Sequence, residues 1–197
     1  SSRARRIGAA NTLIKMDSGK ISADNTDGYG FMTNLASQST AWNPSAGPSL
    51  VLGAGGAARA VLVALLEAGV PKIYLCNRTR ERAEDLAADI SHYIEVIDWE
   101  DKQGVLPDVF TVVNATSLGM TGKPPLEFDL KNVNPDALVT DLIYAPLETQ
   151  LLRDARARGC EVVSGIGMLL HQGVPGFDAW FGSWPAVDEE LEALVLS

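Results

Sequence analysis

The chain has 197 residues, more than the ~150 of a typical domain, so one complete globular domain plus a remainder is expected. Apolar residues make up 46% and charged residues 21%, which suits a chain with one real core and excludes disordered, collagen-like and disulfide-scaffold classes. Sixteen Lys and Arg stand against 25 Asp and Glu, a net charge of −9 that repels polyanions, so nucleic acid is not an expected partner.

Residues 1–26 open with three arginines and no apolar stretch or cleavage site of a secretory signal. Starting at Ser1-Ser2 and running directly toward a strand, the chain reads as cut from something longer. Ala9 to Ile14, a turn at Asp17-Ser18-Gly19 and a return through Ile21 make a hairpin. Two strands alone are marginal, so this reads as the remnant of a second α/β domain whose other strands are elsewhere.

From 27 to 164, strand and helix signals alternate. Ser49 to Leu52 is a short apolar run, followed by glycines and a helix from Ala57 to Ala68 that closes at Gly69 and Pro71. Lys72 to Cys76 is a second strand, and Thr79 caps a helix from Arg80 to Ile90 with Ala83, Leu86, Ala87 and Ile90 on one face. Tyr93 to Ile97, Val109 to Ala115 and Leu138 to Ile143 are further strands. Pro146 then opens a helix with Leu147, Leu151, Leu152 and Ala155 inside, and Glu161 to Val163 is the last strand. Unbroken Val/Ile/Leu runs mean strands buried on both faces, which predicts an α/β fold with a Rossmann-type, doubly wound parallel sheet. Residues 165–197 read as helices from Ile166 to Phe181 and from Val187 to Leu196. Phe177, Trp180, Phe181 and Trp184 cluster there, an aromatic surface suited to packing against another body.

The longest apolar run, Ala60 to Leu66, is far below the ~18 to 20 residues of a membrane span, so no membrane is expected. Cys76 and Cys160 form neither a CxxC nor a metal-ligand cluster, and two buried thiols suit a reducing cytoplasm. No metal is expected.

Gly53-Ala54-Gly55-Gly56-Ala57-Ala58 follows a strand and opens a helix, the G-x-G-x-x-A dinucleotide fingerprint in its required context. Gly53 permits the turn, Gly55 lets the backbone approach a pyrophosphate, Ala58 allows close helix–strand packing, and the helix start offers free amides. About 20 residues on, where NAD-binding folds carry an acid, stands Asn77-Arg78-Thr79-Arg80-Glu81-Arg82. An acid would repel a 2′-phosphate, whereas the Arg78 fork and Thr79 would hold one, so NADP(H) is the expected cofactor. Asn114-Ala115-Thr116-Ser117 and Asp141 to Pro146 end later strands and should border the nicotinamide, with Asp141 as a loop anchor rather than a catalyst.

Seven motifs in order carry a resemblance: Ile7 to Leu13, Asn25 to Phe31, Gly53 to Ala58, Asn77-Arg78-Thr79, Asn114 to Ser117, Asp141 to Pro146, and Gly165 to Leu169 followed by Gln172. Together they are similar to the shikimate dehydrogenase family over essentially the whole chain. The resemblance implies a two-domain enzyme that reduces 3-dehydroshikimate to shikimate with NADPH in the cleft between its domains. It implies that Asn11, Tyr144 and Gln172 contact substrate, and that Asp27 binds substrate and pairs with a catalytic lysine. It also implies that Gly53, Ala54, Gly55, Gly56, Ala57, Asn77, Arg78, Thr79, Arg82, Leu142 and Gly165 lie on the cofactor side. The family's lysine and paired serines precede the Ile7 motif and are not matched here, so residues 1–197 alone are expected to be inactive. Lys15 and Lys20 sit at the hairpin turn and do not match that motif.

The implied organisation is a substrate-domain remnant at 1–26, an NADP-binding domain at 27–164, and helices at 165–197 returning toward the substrate domain. A homodimer, or association through an exposed interdomain face, stays open. So do two other readings, a quinate/shikimate dehydrogenase and a non-catalytic NADP-binding module. A nucleotide binder without chemistry has no use for Asn11, Asp27 and Gln172.

Overall fold

The computed structural model describes residues 1–39 and 41–196. Its first element is a helix, α1 (Ser2–Ile7), where the sequence predicts none. The helix is decided at its ends. The Ser1 hydroxyl accepts the Ala4 amide at 3.0 Å, Arg5 and Arg6 fill the last turn, and Gly8 closes it in the left-handed region at φ 74°. Only Ile7 is buried, so no apolar stripe announces the helix. Ala9 and Ala10 are therefore outside the strand expected to hold them, and β1 (Thr12–Lys15) pairs antiparallel with β2 (Ile21–Asp24) as a separate two-stranded sheet.

Next come α2 (Asp27–Gln38), β3 (Ser49–Leu52), α3 (Gly56–Glu67), β4 (Ile73–Cys76), α4 (Arg80–Ile90), β5 (Ile94–Val96), β6 (Thr111–Asn114), β7 (Leu138–Asp141), α5 (Gln150–Ala157), β8 (Glu161–Val163), α6 (Ile166–Phe181) and α7 (Glu189–Leu196). The last six strands form one parallel sheet in the order β5-β4-β3-β6-β7-β8. All four residues of β3, of β6 and of β7 are buried, which is why these strands show apolar runs rather than alternation. Val51, Val113 and Leu75 face one core layer with Phe31, Val61 and Leu65, while Leu50, Leu52, Val112 and Val139 face the other with Leu151 and Leu152. Strand order reverses between β3 and β6, so the crevice at their carboxyl ends is where such a sheet takes its ligand.

The helix expected from Pro146 begins instead at Gln150. Thr149 caps it, and the Thr149 hydroxyl is fixed from outside by Asp141 at 2.8 Å. Pro146, Leu147 and Glu148 therefore precede the helix, and Leu147 is exposed rather than on its inner face. Thr79 stands at the N-cap of α4 as predicted, but its side chain makes no cap bond. The α6 helix runs from Ile166 to Phe181 as read, whereas the C-terminal helix starts two residues later than Val187. Ser197, the end of that stretch, lies outside the described residues.

Packing of α2 on α6 joins the N-terminal segment to the sheet. A Cβ on Gly30 would stand 2.6 Å from the Met168 carbonyl oxygen and 2.7 Å from the Gln172 amide nitrogen, so the two backbones can meet only through glycine. Asn34, also on α2, donates to the Ser164 carbonyl at 2.8 Å. No helix among the described residues is long and apolar enough to cross a membrane.

Both cysteines are free and buried, and burial pushes the Cys76 thiol up to about 12. Only the thiolate attacks a disulfide reagent, so neither Cys76 nor Cys160 is expected to react with one at pH 8 in the folded protein. Both should react after guanidinium is added. Rapid release of reagent colour from the folded protein would contradict this placement.

Candidate functional site

Gly53 follows β3 with φ +104°, a conformation side chains rarely adopt, and a Cβ there would stand 3.0 Å from the Ala115 carbonyl oxygen. The turn thus lies directly against the loop after β6. Gly55 is the N-cap of α3 and supplies no side chain to the first amides, and a Cβ at Gly55 or Gly56 would meet nothing within 4 Å. Free N–H donors at a helix start, with open space before them, form an anion site. Ala58 is fully buried between helix and strand.

The Asn77 side chain fixes this turn to the end of β4. Its Oδ1 accepts the Ala54 amide at 3.2 Å, and its Nδ2 donates to the Thr79 carbonyl at 2.9 Å. A cleft of about 220 Å³ opens here, lined by Gly53, Ala54, Gly55, Arg78, Arg82 and Thr116 among others. Arg78 and Arg82 are exposed and form no ion pair among the described residues. Arg80 differs. It is committed to Glu84 and Asp98, both at 2.7 Å, and stays out of the cleft. Trp99 also lines the cleft and escaped the sequence reading. Its signal was an aromatic just past the third strand, on the same carboxyl edge as Arg78.

Beyond the turn lies a buried polar network. Asp141 accepts from Asn114 Nδ2 and the Ile143 amide, each at 3.0 Å, and from the Thr149 hydroxyl at 2.8 Å. Asn114 in turn accepts from the Thr116 amide and hydroxyl, at 3.1 and 2.7 Å. Burial pushes the Asp141 carboxyl above its ordinary range, and the Ile143, Thr149 and Asn114 donors partly offset it. With 0% exposure and three donors around it, Asp141 braces the loops as an anchor. Gly165 lies directly against Leu142: a Cβ there would collide with the Leu142 carbonyl.

On the other side, Asn11 Nδ2 donates to Asp27 Oδ1 at 2.8 Å while Asn11 Oδ1 accepts the Thr26 amide at 3.0 Å. Asn11 is exposed and Asp27 half-buried. Gln172 is half-buried on α6, where Gly30 of α2 crosses it, and Tyr144 is 42% exposed after β7. Thus Asn11 and Asp27 touch, and Gln172 meets α2 at Gly30, one turn beyond Asp27.

The fold and the cleft define a Rossmann-type α/β domain with an anion site at the start of α3. A family model described as Shikimate / quinate 5-dehydrogenase matches residues 34–120. A protein named shikimate dehydrogenase (NADP(+)) from Cereibacter sphaeroides is 57% identical over 195 residues, covering 99% of this chain and 70% of that protein. The chain belongs to the shikimate dehydrogenase family. Among solved structures, quinate dehydrogenase from Corynebacterium glutamicum in complex with NAD matches with TM-score 0.90 and 33% identity, covering 100% of this chain and 70% of that one. Shikimate 5-dehydrogenase from Thermus thermophilus in complex with NADP(H) and shikimate matches with TM-score 0.79 and 36% identity, covering 94% and 67%.

Proposed function

We propose that this chain carries the cofactor site and part of the substrate site of an NADP-dependent shikimate dehydrogenase, which interconverts 3-dehydroshikimate and shikimate. The observation that carries the reading is the cleft at the end of β4, where the open start of α3 shares a lining with Arg78 and Arg82, unpaired among the described residues, and no carboxylate ends the strand. These residues fit a dinucleotide with a 2′-phosphate. Gly53, Ala54, Gly55, Gly56 and Ala57 would hold the pyrophosphate, and Asn77, Arg78, Thr79 and Arg82 the phosphorylated ribose. Leu142 and Gly165 would border the nicotinamide, which supplies or accepts the hydride when bound.

Asn11, Tyr144 and Gln172 orient a polyhydroxylated ring, and the Asp27 carboxylate accepts a substrate hydroxyl. Asp27 also favours the protonated form of a neighbouring lysine, the group that gives or takes the alcohol proton. The chain spans about 70% of the relatives' length, and that lysine belongs in the share it does not span. Residues 1–26 serve the substrate domain, 27–164 the cofactor domain, and 165–197 return toward the substrate domain. Phe177, Trp180 and Phe181, each 42% exposed or more, are the face for such packing or for a second copy, in a cytoplasmic enzyme.

A quinate- and NAD-using enzyme is the competing reading, given the NAD-bound structural relative. The absent acid after β4 speaks against it. Arg78→Ala separates the two. Loss of a charge-assisted phosphate contact costs ~1.5 to 3 kcal/mol, so calorimetric titration should show NADP(H) binding weakened by about 10- to 150-fold with NAD(H) little affected. An unchanged NADP/NAD ratio would remove Arg78 from the phosphate site.

A further inference from the structure

Arg59 joins the glycine turn to the segment that bears Asn11. Its backbone amide donates to the Gly55 carbonyl at 3.1 Å, within the first turn of α3. Its Nη1 donates to the Ile7 carbonyl at 3.0 Å, and its Nη2 is paired with Asp89 on α4. The Ile7 side chain is fully buried against Ala60 and Val63, also on α3. Gly8 completes the joint: at φ +74°, a Cβ there would stand 2.9 Å from Arg59 Nη1, so the guanidinium packs close against bare backbone. Three residues later Asn11 reaches Asp27.

We propose that Arg59 is a positioning residue that couples the cofactor turn to the Asn11–Asp27 pair, so that filling the turn steadies the substrate side. The proposal rests on the cofactor reading above. An anion at the α3 amides holds the Gly55–Arg59 turn in one conformation, and the guanidinium carries that order to Ile7 and Gly8. Arg suits the task because its planar fork holds two acceptors at once, whereas Lys offers a single ammonium point. Coupling of this kind needs no displacement, only a narrower range of motion. A plain brace between α1 and α3 would steady Gly8 to Asn11 equally with and without cofactor.

Hydrogen exchange on the chain with and without NADP⁺, in wild type and in Arg59→Met, tests it. In wild type, NADP⁺ should slow exchange across residues 8–12 by roughly tenfold, the scale of one charge-assisted hydrogen bond. In Arg59→Met this slowing should vanish while NADP⁺ still binds. Arg59→Lys, which keeps charge and helix propensity, should lose part of it and serves if the Met variant does not fold. Slowing that persists in both variants, or wild-type binding with no slowing at 8–12, overturns the proposal. If wild type binds no NADP⁺ at all, the cofactor reading fails first and takes this one with it.

Discussion

Asp27→Asn, made in an enzyme of the family's full length, is expected to lower kcat by about 10²- to 10⁴-fold, the range of general acid–base assistance, with NADP affinity essentially unchanged. The geometry isolates charge as the variable. Asn11 Nδ2 donates to Asp27 Oδ1 at 2.8 Å, and an amide oxygen can accept that bond equally well, so shape and contact survive the substitution. What disappears is the negative charge that, in the proposed role, would hold a neighbouring lysine protonated and take a substrate hydroxyl. A role as helix cap predicts a different result, a loss of about 0.5 to 2 kcal/mol in stability with catalysis retained. The structure weighs against the cap, since Thr26 is the N-cap residue and the Asp27 carboxylate bonds Asn11 rather than a helix amide. Measuring kcat, NADP affinity and the thermal midpoint on one Asn variant separates the two. A lowered midpoint with near-normal kcat would assign Asp27 to the helix end.

Removal of Asp141 should have the largest effect on stability. Asp141→Ala leaves the Ile143 amide and the Thr149 hydroxyl without their acceptor and takes one partner from Asn114. At ~1 to 3 kcal/mol for each of these two stranded buried groups, the loss is about 2 to 6 kcal/mol. At ~2 to 4 °C per kcal/mol for a domain of this size, that lowers Tm by roughly 4 to 24 °C. Asp141→Asn should cost far less, because its amide oxygen can still accept from Asn114 and Ile143 while its NH₂ donates to the Thr149 hydroxyl.

The pH dependence follows from the raised Asp141 pKa. The fold holds this proton more tightly than the unfolded chain does, so Asp141 favours the fold at low pH. That contribution is lost as pH rises from the unfolded value through the folded one. The wild type should therefore compare best with Asp141→Asn in acid and worst at neutral pH. An Ala variant melting within 2 °C of wild type, by the same conversion under ~1 kcal/mol, would mean that the network braces nothing.

Much of the cofactor domain was legible because its signals are local. The β3 strand, the glycine turn and α3 follow one another within 19 residues, and a buried parallel strand declares itself by an unbroken apolar run. Thr116 and Ser117 were reachable too, since strand ends fall on one edge of an open sheet. Trp99 was harder. It stands outside any fingerprint and reaches the cleft only through the position of β5 beside β4.

Short stretches of sequence carry the strand-and-helix alternation, the glycine turn at the start of α3 and the family. These rest on backbone geometry and side-chain charge within short windows, where neighbours in sequence are neighbours in space. Which arginine is spent depends on contacts made in the folded chain. Arg80 looks no different from Arg78 in the sequence, yet Asp98, 18 residues away, claims it. Helix α5 begins at Gln150 rather than Pro146 because Asp141, on another strand, fixes the Thr149 cap. Asn11 meets Asp27 across 15 intervening residues because the hairpin folds back on the start of α2, and Arg59 meets Ile7 because α1 lies on α3. Contacts between elements depend on how the chain returns on itself, which no window of neighbouring residues encodes.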